Sequence, residues 1–156
     1  MNGTKKVFSQ KWDNLNIFVS SLIPIFCLVM LYYGVWGETG HNALLVSLAL
    51  IFLAVPLFFC PISISKDDQK MVIRFLLWSK SYDLTSWKRE TGIKSEEVRD
   101  SIRIFAIGGY FGYYGIYRLN DGTKFTSYLV NRFSNVIFLT DNKGGHIAVN
   151  APDNWF

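Results

Sequence analysis

Two long uncharged segments dominate the first part of the chain. Residues 14–37 form a run of 24 residues without a formal charge, and residues 39–65 form a second run of 27, with only Glu38 between them. A helix that crosses roughly 30 Å of hydrocarbon needs about 20 mainly apolar residues. The pattern therefore predicts two membrane-spanning helices, over residues 17–36 and 43–62, joined by a short, polar, glycine-rich link.

Two other interpretations of these segments fit less well. A pair of buried helices in a soluble core is one, but nothing else in the chain is large enough to cover both. A signal peptide is the other, since Lys5, Lys6 and Lys11 resemble a positive leader. The apolar run is too long for that, residues 35–37 are a poor cleavage site, and a second apolar run follows at once.

Small residues recur along both predicted spans and indicate which faces meet. Helices approach closely in lipid where small side chains line the contact. Two sets share a face at helical spacing, the first on one span and the second on the other: Ser20, Cys27 and Gly34, then Ala43, Ser47 and Ala54. We expect these two stripes to face each other.

The distribution of Lys and Arg predicts the orientation. Three of these residues precede the first span, none lies in the link, and 13 follow Ser65. Because basic residues stay on the cytoplasmic side, both termini should be cytoplasmic and the protein should lie in the inner membrane. The expected domains are a tail over 1–14, a helical hairpin over 15–64 and a cytoplasmic domain over 65–156.

The last 91 residues show the sequence pattern of a β domain. Short runs rich in Ile, Val, Phe and Tyr alternate with turn signals such as Asp121-Gly122. Regularly spaced short strands favour a closed barrel or a sandwich, and the charged stretch over 88–100 is either a loop or a short helix. Eight strands are predicted, near 62–66, 71–77, 80–84, 102–107, 115–119, 124–129, 136–140 and 146–149.

A segment rich in glycine and aromatic residues, 107–115, is the most distinctive patch. Its glycines fit neither a dinucleotide fingerprint nor a phosphate-binding loop. They predict either a turn whose aromatics cover a barrel end or an aromatic surface that contacts the membrane interface or a partner. The candidate structural glycines are Gly109, Gly112 and Gly115. The candidate interaction residues are Trp87, Lys88, Arg89, Tyr110, Phe111, Tyr113 and Tyr114.

Several motifs in this half resemble the bacterial pleckstrin-homology-like (PH-like) domain family. They are Arg103-Ile104-Phe105, residues 109–115, residues 124–128, Asn131-Arg132, residues 136–140 and Ala151-Pro152-Asp153. The resemblance implies a seven-stranded, strongly bent barrel closed by a C-terminal helix, behind a pair of membrane helices. The expected fold is thus α+β: a transmembrane hairpin followed by a small PH-like barrel.

Two features of this chain depart from what the resemblance implies. Only Asn154, Trp155 and Phe156 follow the Pro-Asp pair, so the closing helix should be truncated to a single turn. We expect Trp155 and Phe156 to fold back onto the barrel end. The first turn of the domain, residues 66–70, carries two acids in its middle, which argues against phosphoinositide binding.

Composition and charge narrow the function further. Half of the residues are hydrophobic and 18% are charged, which argues against a disordered chain. The two histidines are far apart in sequence and both cysteines lie in apolar runs, so no metal, cofactor or enzymatic site is expected. The net charge of +4 is too small to indicate a nucleic-acid-binding surface.

These observations predict a non-enzymatic, membrane-anchored binding module. Its partners would be the lipid bilayer and either another protein or an identical subunit. The alternative is a sensor of a membrane lipid or small ligand, acting through the aromatic and basic loop surface.

Overall fold

The computed structural model describes residues 6–9, 11–36 and 42–156. The chain is α+β, with two apolar helices followed by a body rich in β-sheet. The elements in order are β1 (Lys6–Ser9), α1 (Asn14–Trp36), α2 (Asn42–Phe59), β2 (Ser63–Lys66), β3 (Lys70–Arg74), β4 (Ser79–Asp83), β5 (Trp87–Arg89), α3 (Ser95–Arg99), β6 (Ile102–Gly108), β7 (Tyr113–Arg118), β8 (Lys124–Leu129), β9 (Val136–Asp141), β10 (His146–Asn150) and a 3-10 turn (Asp153–Trp155).

Helix α1 begins at a well-formed N-terminal cap. The Asp13 carboxylate accepts a hydrogen bond from the backbone N–H of Asn16 at 2.7 Å, which satisfies one of the free donors of the first turn. By length and composition, α1 is the one described helix that could cross a membrane. The apolar stretch of α2, Val46–Pro56, is shorter. The structure thus gives one candidate span where the sequence predicts two. Residues 37–41 of the predicted link lie outside the described residues, and α2 begins at its last residue, Asn42.

The faces by which the two helices pack agree only partly with the predicted stripes. On α1 the three residues of the predicted stripe, Ser20, Cys27 and Gly34, are buried, although the Ser20 hydroxyl bonds to the body at the Phe111 N–H. On α2 the prediction is wrong: Ala43, Ser47 and Ala54 are not buried, whereas Ala49 is. Small residues are common around the whole circumference of α2, so their spacing alone does not determine which face packs.

The strands form two sheets. The first is antiparallel with the order β1-β2-β3-β4, and the second has the order β5-β9-β10-β8-β7-β6. Strand β10 lies between its hairpin partner β9 and β8, to which it runs parallel. The described strand pairings do not join the two sheets into one closed barrel, and they differ in strand number from the seven-stranded barrel that the resemblance implies.

The two sheets pack face to face around one hydrophobic core. Alternate residues of β9 and β10, among them Ile137, Leu139 and Val149, meet Ile64 and Ile73 of the first sheet. Burial of one face in each sheet follows from the period-2 alternation along these strands. A second cluster, which includes Val98 of α3, covers the opposite face of the larger sheet.

The eight predicted strands are present, with shifted ends. The second and third of them form a hairpin that turns earlier than expected, so residues 75–77 lie in its tip. Residues 88–100 contain the end of β5 and then α3. Strand β1 was expected to be part of a tail over 1–14. It instead pairs with β2, with Phe8 opposite Ile64, because Phe8 packs against the core between the sheets.

The end of the chain closes the core as predicted. Pro152 precedes a single 3-10 turn, and Trp155 within it is 6% exposed and belongs to the core between the sheets. Its ring lies 6.3 Å from that of Phe8, edge to face. Phe156 packs partly against the same cluster, with the Lys66 ammonium 4.7 Å from its ring centre.

Candidate functional site at the junction of helices and sheets

The segment rich in glycine and aromatic residues forms the turn between β6 and β7, and this turn meets both helices. The turn is closed by a 3.0 Å hydrogen bond from the Gly109 N–H to the Gly112 carbonyl. All three predicted structural glycines have a positive φ, at 89°, 143° and 122° for Gly109, Gly112 and Gly115. We call this turn with its contacts to α1 and α2 the junction.

Glycine is required most strictly at two of these positions. A Cβ on Gly115 would lie 2.4 Å from the Phe105 carbonyl oxygen, and one on Gly112 would lie 2.9 Å from that of Leu129. Both distances are far below a normal van der Waals contact. The glycines therefore permit both the left-handed backbone and the close approach of neighbouring strands.

Polar side chains on the first two turns of α1 bind the body of the protein. Asn16 is fully buried, and its side-chain amide donates to the Val130 carbonyl at 2.9 Å. The Ser20 hydroxyl accepts a hydrogen bond from the Phe111 N–H at 2.8 Å. Because buried polar groups without partners are costly, these bonds hold α1 against the sheets in one register.

A buried carboxylate lies at the start of α1, where the helix meets the body. Asp13 is 7% exposed. Besides capping the helix, it accepts hydrogen bonds from the Tyr113 hydroxyl at 3.3 Å and from the Arg132 N–H at 3.4 Å. The Arg132 guanidinium lies 5.1 Å from the Tyr113 ring centre and 5.8 Å from that of Tyr117. The positive charge thus stacks on two aromatic rings of β7.

The environment of Tyr113 suppresses its ionisation. Burial raises the pKa of Tyr113 to about 12, and the neighbouring Asp13 charge and hydrogen bond contribute to the same direction. Loss of the proton would place a second negative charge beside Asp13. The hydroxyl is therefore held as a hydrogen-bond donor at physiological pH and is unsuited to act as a base.

Two aromatic side chains satisfy the end of α2. The last four carbonyls of a helix have no partner within it. The Tyr114 hydroxyl donates to the Pro56 carbonyl at 2.8 Å, and the Trp78 indole N–H donates to the Phe58 carbonyl at 3.0 Å. Tyr114 also stacks on Phe59 with ring centres 6.0 Å apart. Strand β7 and the β3–β4 hairpin thus both hold the same helix end.

The remaining aromatics of the turn are largely enclosed. Tyr110 is 4% exposed, and its hydroxyl has no hydrogen-bond partner among the residues that the structure describes. Phe111 lies edge to face with Trp12, at 5.3 Å between ring centres, and its carbonyl accepts a hydrogen bond from the Cys60 thiol at 2.9 Å. These aromatic residues are therefore internal contacts and leave little surface for a separate partner.

The seven candidate interaction residues do not form one surface. Trp87, Lys88 and Arg89 lie on β5, at the edge of the larger sheet opposite β6. Trp87 packs edge to face on Tyr82 at 5.1 Å, and Arg89 forms a 2.8 Å ion pair with Asp153. Lys88 is exposed. The structure thus separates the basic strand from the four aromatics of the turn, which it brings together at the junction.

An apolar cavity of about 630 Å³ opens beside the junction. The side that we call its floor is formed by residues of the larger sheet, including Tyr114 and Tyr128. One wall is formed by Phe75 and Trp78, whose rings stack at 3.9 Å. We call it the lateral groove. Its full lining is Val55, Phe59, Phe75, Trp78, Ile104, Phe105, Ala106, Ile107, Tyr114, Gly115, Thr126 and Tyr128.

Sequence reasoning did not identify Asp13, Asn16, Arg132 or the Phe75–Trp78 pair as parts of a site. The sequence does contain one signal for Asp13 and Asn16. Together with Ser20 they place three polar side chains at helical spacing at the start of an otherwise apolar helix. Polar residues at such positions are expensive in lipid and face a partner.

No metal-binding group of three or more His, Cys, Asp or Glu side chains occurs in residues 6–9, 11–36 and 42–156. No protein-family model matches the chain, and no curated protein or solved structure matches it significantly. The resemblance to PH-like domains thus depends on the sequence motifs alone.

Proposed function

We propose that the chain is a non-enzymatic, membrane-anchored binding module of the PH-like type. Helices α1 and α2 cross the inner membrane as a hairpin, and the β-sheet body lies at the cytoplasmic face, where it recruits a protein partner or a second copy. The observation that carries this proposal is the junction. Its hydrogen bonds, which Asn16 and Tyr114 donate and Ser20 accepts, hold the body in one orientation relative to the helices.

The surface of the helices supports a membrane location. Outside the junction, α1 exposes large apolar side chains along most of its length, and a patch of this size is unstable in water. Helix α2 does the same. The exposed residues include Phe18, Leu22, Ile25, Phe26 and Leu28 on α1 and Leu44, Leu50, Ile51 and Phe52 on α2.

The pairing of β1 with β2 supports a hairpin with both ends on one side. These strands flank the helix pair in sequence, and Ser9 lies opposite Ser63 in the sheet. The chain therefore leaves the body and returns to it at the same place. Together with the 13 basic residues after Ser65, this favours a cytoplasmic body.

Thiol labelling in intact cells tests the anchoring and its orientation. Cys27 and Cys60 are first replaced by Ala, and a single cysteine is introduced at Lys143 or at Thr39. We expect an impermeant thiol reagent to label the cysteine at 39 in intact cells and the one at 143 only after lysis. Labelling at 143 without lysis would contradict the orientation.

Cross-linking in native membranes tests the recruitment. The body carries seven lysines, at positions 66, 70, 80, 88, 94, 124 and 143, which an amine-reactive reagent can report. We expect one discrete adduct that forms through a subset of these lysines. The adduct should be lost when a lysine of that subset is changed to Glu, and it should be retained when a lysine outside the subset is changed to Glu. Adducts spread over all seven lysines, or none, would contradict a defined partner surface.

A further inference from the structure

We propose that the lateral groove binds an acyl chain of an anionic phospholipid drawn from the surrounding bilayer. This inference rests on the proposed function, because it takes the end of α2 to lie at the membrane surface. The lipid would bind in addition to the proposed protein partner, at a different site. The groove volume of about 630 Å³ lies within the range of about 300–1,000 Å³ that is usual for small-molecule sites.

The groove is continuous with the membrane anchor. Val55 and Phe59 of α2 line one end of it and are 41% and 46% exposed. The β3–β4 hairpin, which forms a wall, is attached to the same helix end through Trp78. A lipid beside the last turn of α2 therefore reaches the groove without crossing water.

Exposed apolar side chains extend the groove outward. Leu76 and Leu77 at the hairpin tip are 56% and 69% exposed, and Phe105 on β6 is 82% exposed. Large apolar groups clustered at the rim of a cavity indicate a surface that meets lipid or another apolar partner. Their position beside the helix end favours the interfacial layer of the bilayer.

The polar groups of the lining already have partners, which favours an apolar ligand. Tyr114 and Trp78 donate to carbonyls of α2. The Tyr128 hydroxyl is engaged by the Lys80 ammonium and by the Tyr82 hydroxyl, each at 3.1 Å. Of the remaining side chains in the lining, only Thr126 carries a polar group. A chain of methylene groups needs no directional bonds and suits this surface.

The charge around the groove favours an anionic headgroup. Lys80 reaches a residue of the groove floor, and Arg74 ends the strand before the hairpin tip. Basic residues near a membrane surface attract anionic lipids.

The edge of the sheet argues against a second copy as the occupant. Strand β6 is the outer strand beside the groove, and its pairing register shifts between Arg103 and Phe105. Such bulges are one way in which proteins protect a sheet edge against pairing with another chain. An apolar chain entering from the membrane needs no regular edge.

Photo-cross-linking in nanodiscs tests the proposal. The full chain is reconstituted with phosphatidylglycerol that carries a photoactivatable diazirine on one acyl chain, and the adducts are located by mass spectrometry. We expect adducts on peptides of the groove, around residues 75–78 and 104–107, in addition to those on α1 and α2. Thr126→Trp, which fills the groove, should lower the groove adducts at least about fivefold, whereas Thr91→Trp, outside it, should not.

The helix adducts separate failure of this proposal from failure of the anchoring. Adducts on the helices with none in the groove of the unaltered chain would overturn the groove proposal alone. No adducts on the helices would overturn the anchoring itself. Lys80→Ala tests the preference for an anionic headgroup. It should lower the yield of groove adducts about fivefold with phosphatidylglycerol and leave that yield unchanged with phosphatidylcholine. Equal effects on the two lipids would refute the anionic preference.

A reciprocal probe distinguishes the occupants. With benzoylphenylalanine in place of Ile104, which lines the groove, illumination in nanodiscs should give a lipid adduct of the single chain. A product of twice the chain mass would show a second copy in the groove and overturn the proposal.

Discussion

Gly115 lies where the backbone of β7 passes close to that of β6. A Cβ there would lie 2.4 Å from the Phe105 carbonyl oxygen and 2.5 Å from the Ala106 Cα, and φ is 122°. We predict that Gly115→Ala lowers the free energy of unfolding by about 2–5 kcal/mol, through backbone strain and overpacking together. Thermal unfolding in detergent micelles measures this.

Gly122 provides the matched control. Its φ is also positive, at 94°, but a Cβ at this position would have no neighbouring atom within 4 Å. Gly122→Ala should therefore cost only about 1–2 kcal/mol, the strain of a left-handed residue. Equal losses at both positions would show that crowding at the junction is unimportant.

Tyr113 should make stability depend on pH in alkaline solution. Its pKa is raised from 10.0 to about 12 in the folded state. The folded protein thus holds the proton more tightly, and the contribution is present below pH 10 and is lost as the pH rises through 12. Tyr113→Phe should flatten the decline in unfolding free energy over this range; parallel curves for the two proteins would contradict the assignment.

At the scale of the elements, local patterns predict most of the strands but not all. Strand β5 has three residues, two of them charged, and its place is determined by pairing with β9, with Lys88 opposite Thr140. Strand β1 likewise depends on a distant partner, with Phe8 opposite Ile64. Such short strands are specified by long-range pairing rather than by their own residues.

The packing of α2 illustrates the same limit. The spacing of its small residues predicts that Ala43, Ser47 and Ala54 face α1, yet none of the three is buried. The contacts that hold α2 come instead from distant residues of the body, because Tyr114 and Trp78 bind the carbonyls of its last turn. On α1, the polar Asn16 and Ser20 identify the buried face directly.

The 3-10 turn at residues 153–155 has only three residues but should contribute a large share of the stability. Trp155 is buried in the core between the sheets. We predict that Trp155→Ala lowers the unfolding free energy by about 3–5 kcal/mol. Trp36→Ala, at a side chain that is 73% exposed, should leave it nearly unchanged. Similar melting temperatures for the two variants would show that Trp155 is dispensable.

At the scale of the whole molecule, the junction could not be predicted from the sequence. The glycines and aromatics of residues 107–115 indicate a special turn, but not its partner. The partner of Phe111 is Ser20, 91 positions away, and that of Val130 is Asn16, 114 positions away. Only the tertiary fold brings these residues together and turns a candidate partner surface into an internal contact.

The central claim is that the turn between β6 and β7 packs against α1. A Cβ on Gly109 would lie 4.0 Å from the Val19 Cβ, within the range of about 3.5–4.5 Å that a disulfide requires. The direct test is oxidation of the double variant Val19→Cys/Gly109→Cys in isolated membranes, in a chain whose Cys27 and Cys60 are replaced by Ala. Gly109→Ala in the same background is the control for the strain of a side chain at positive φ. We predict that a disulfide within one chain forms nearly completely under mild oxidant. Two thiols that stay free and react fully with maleimide, in a variant as stable as the control, would contradict the account.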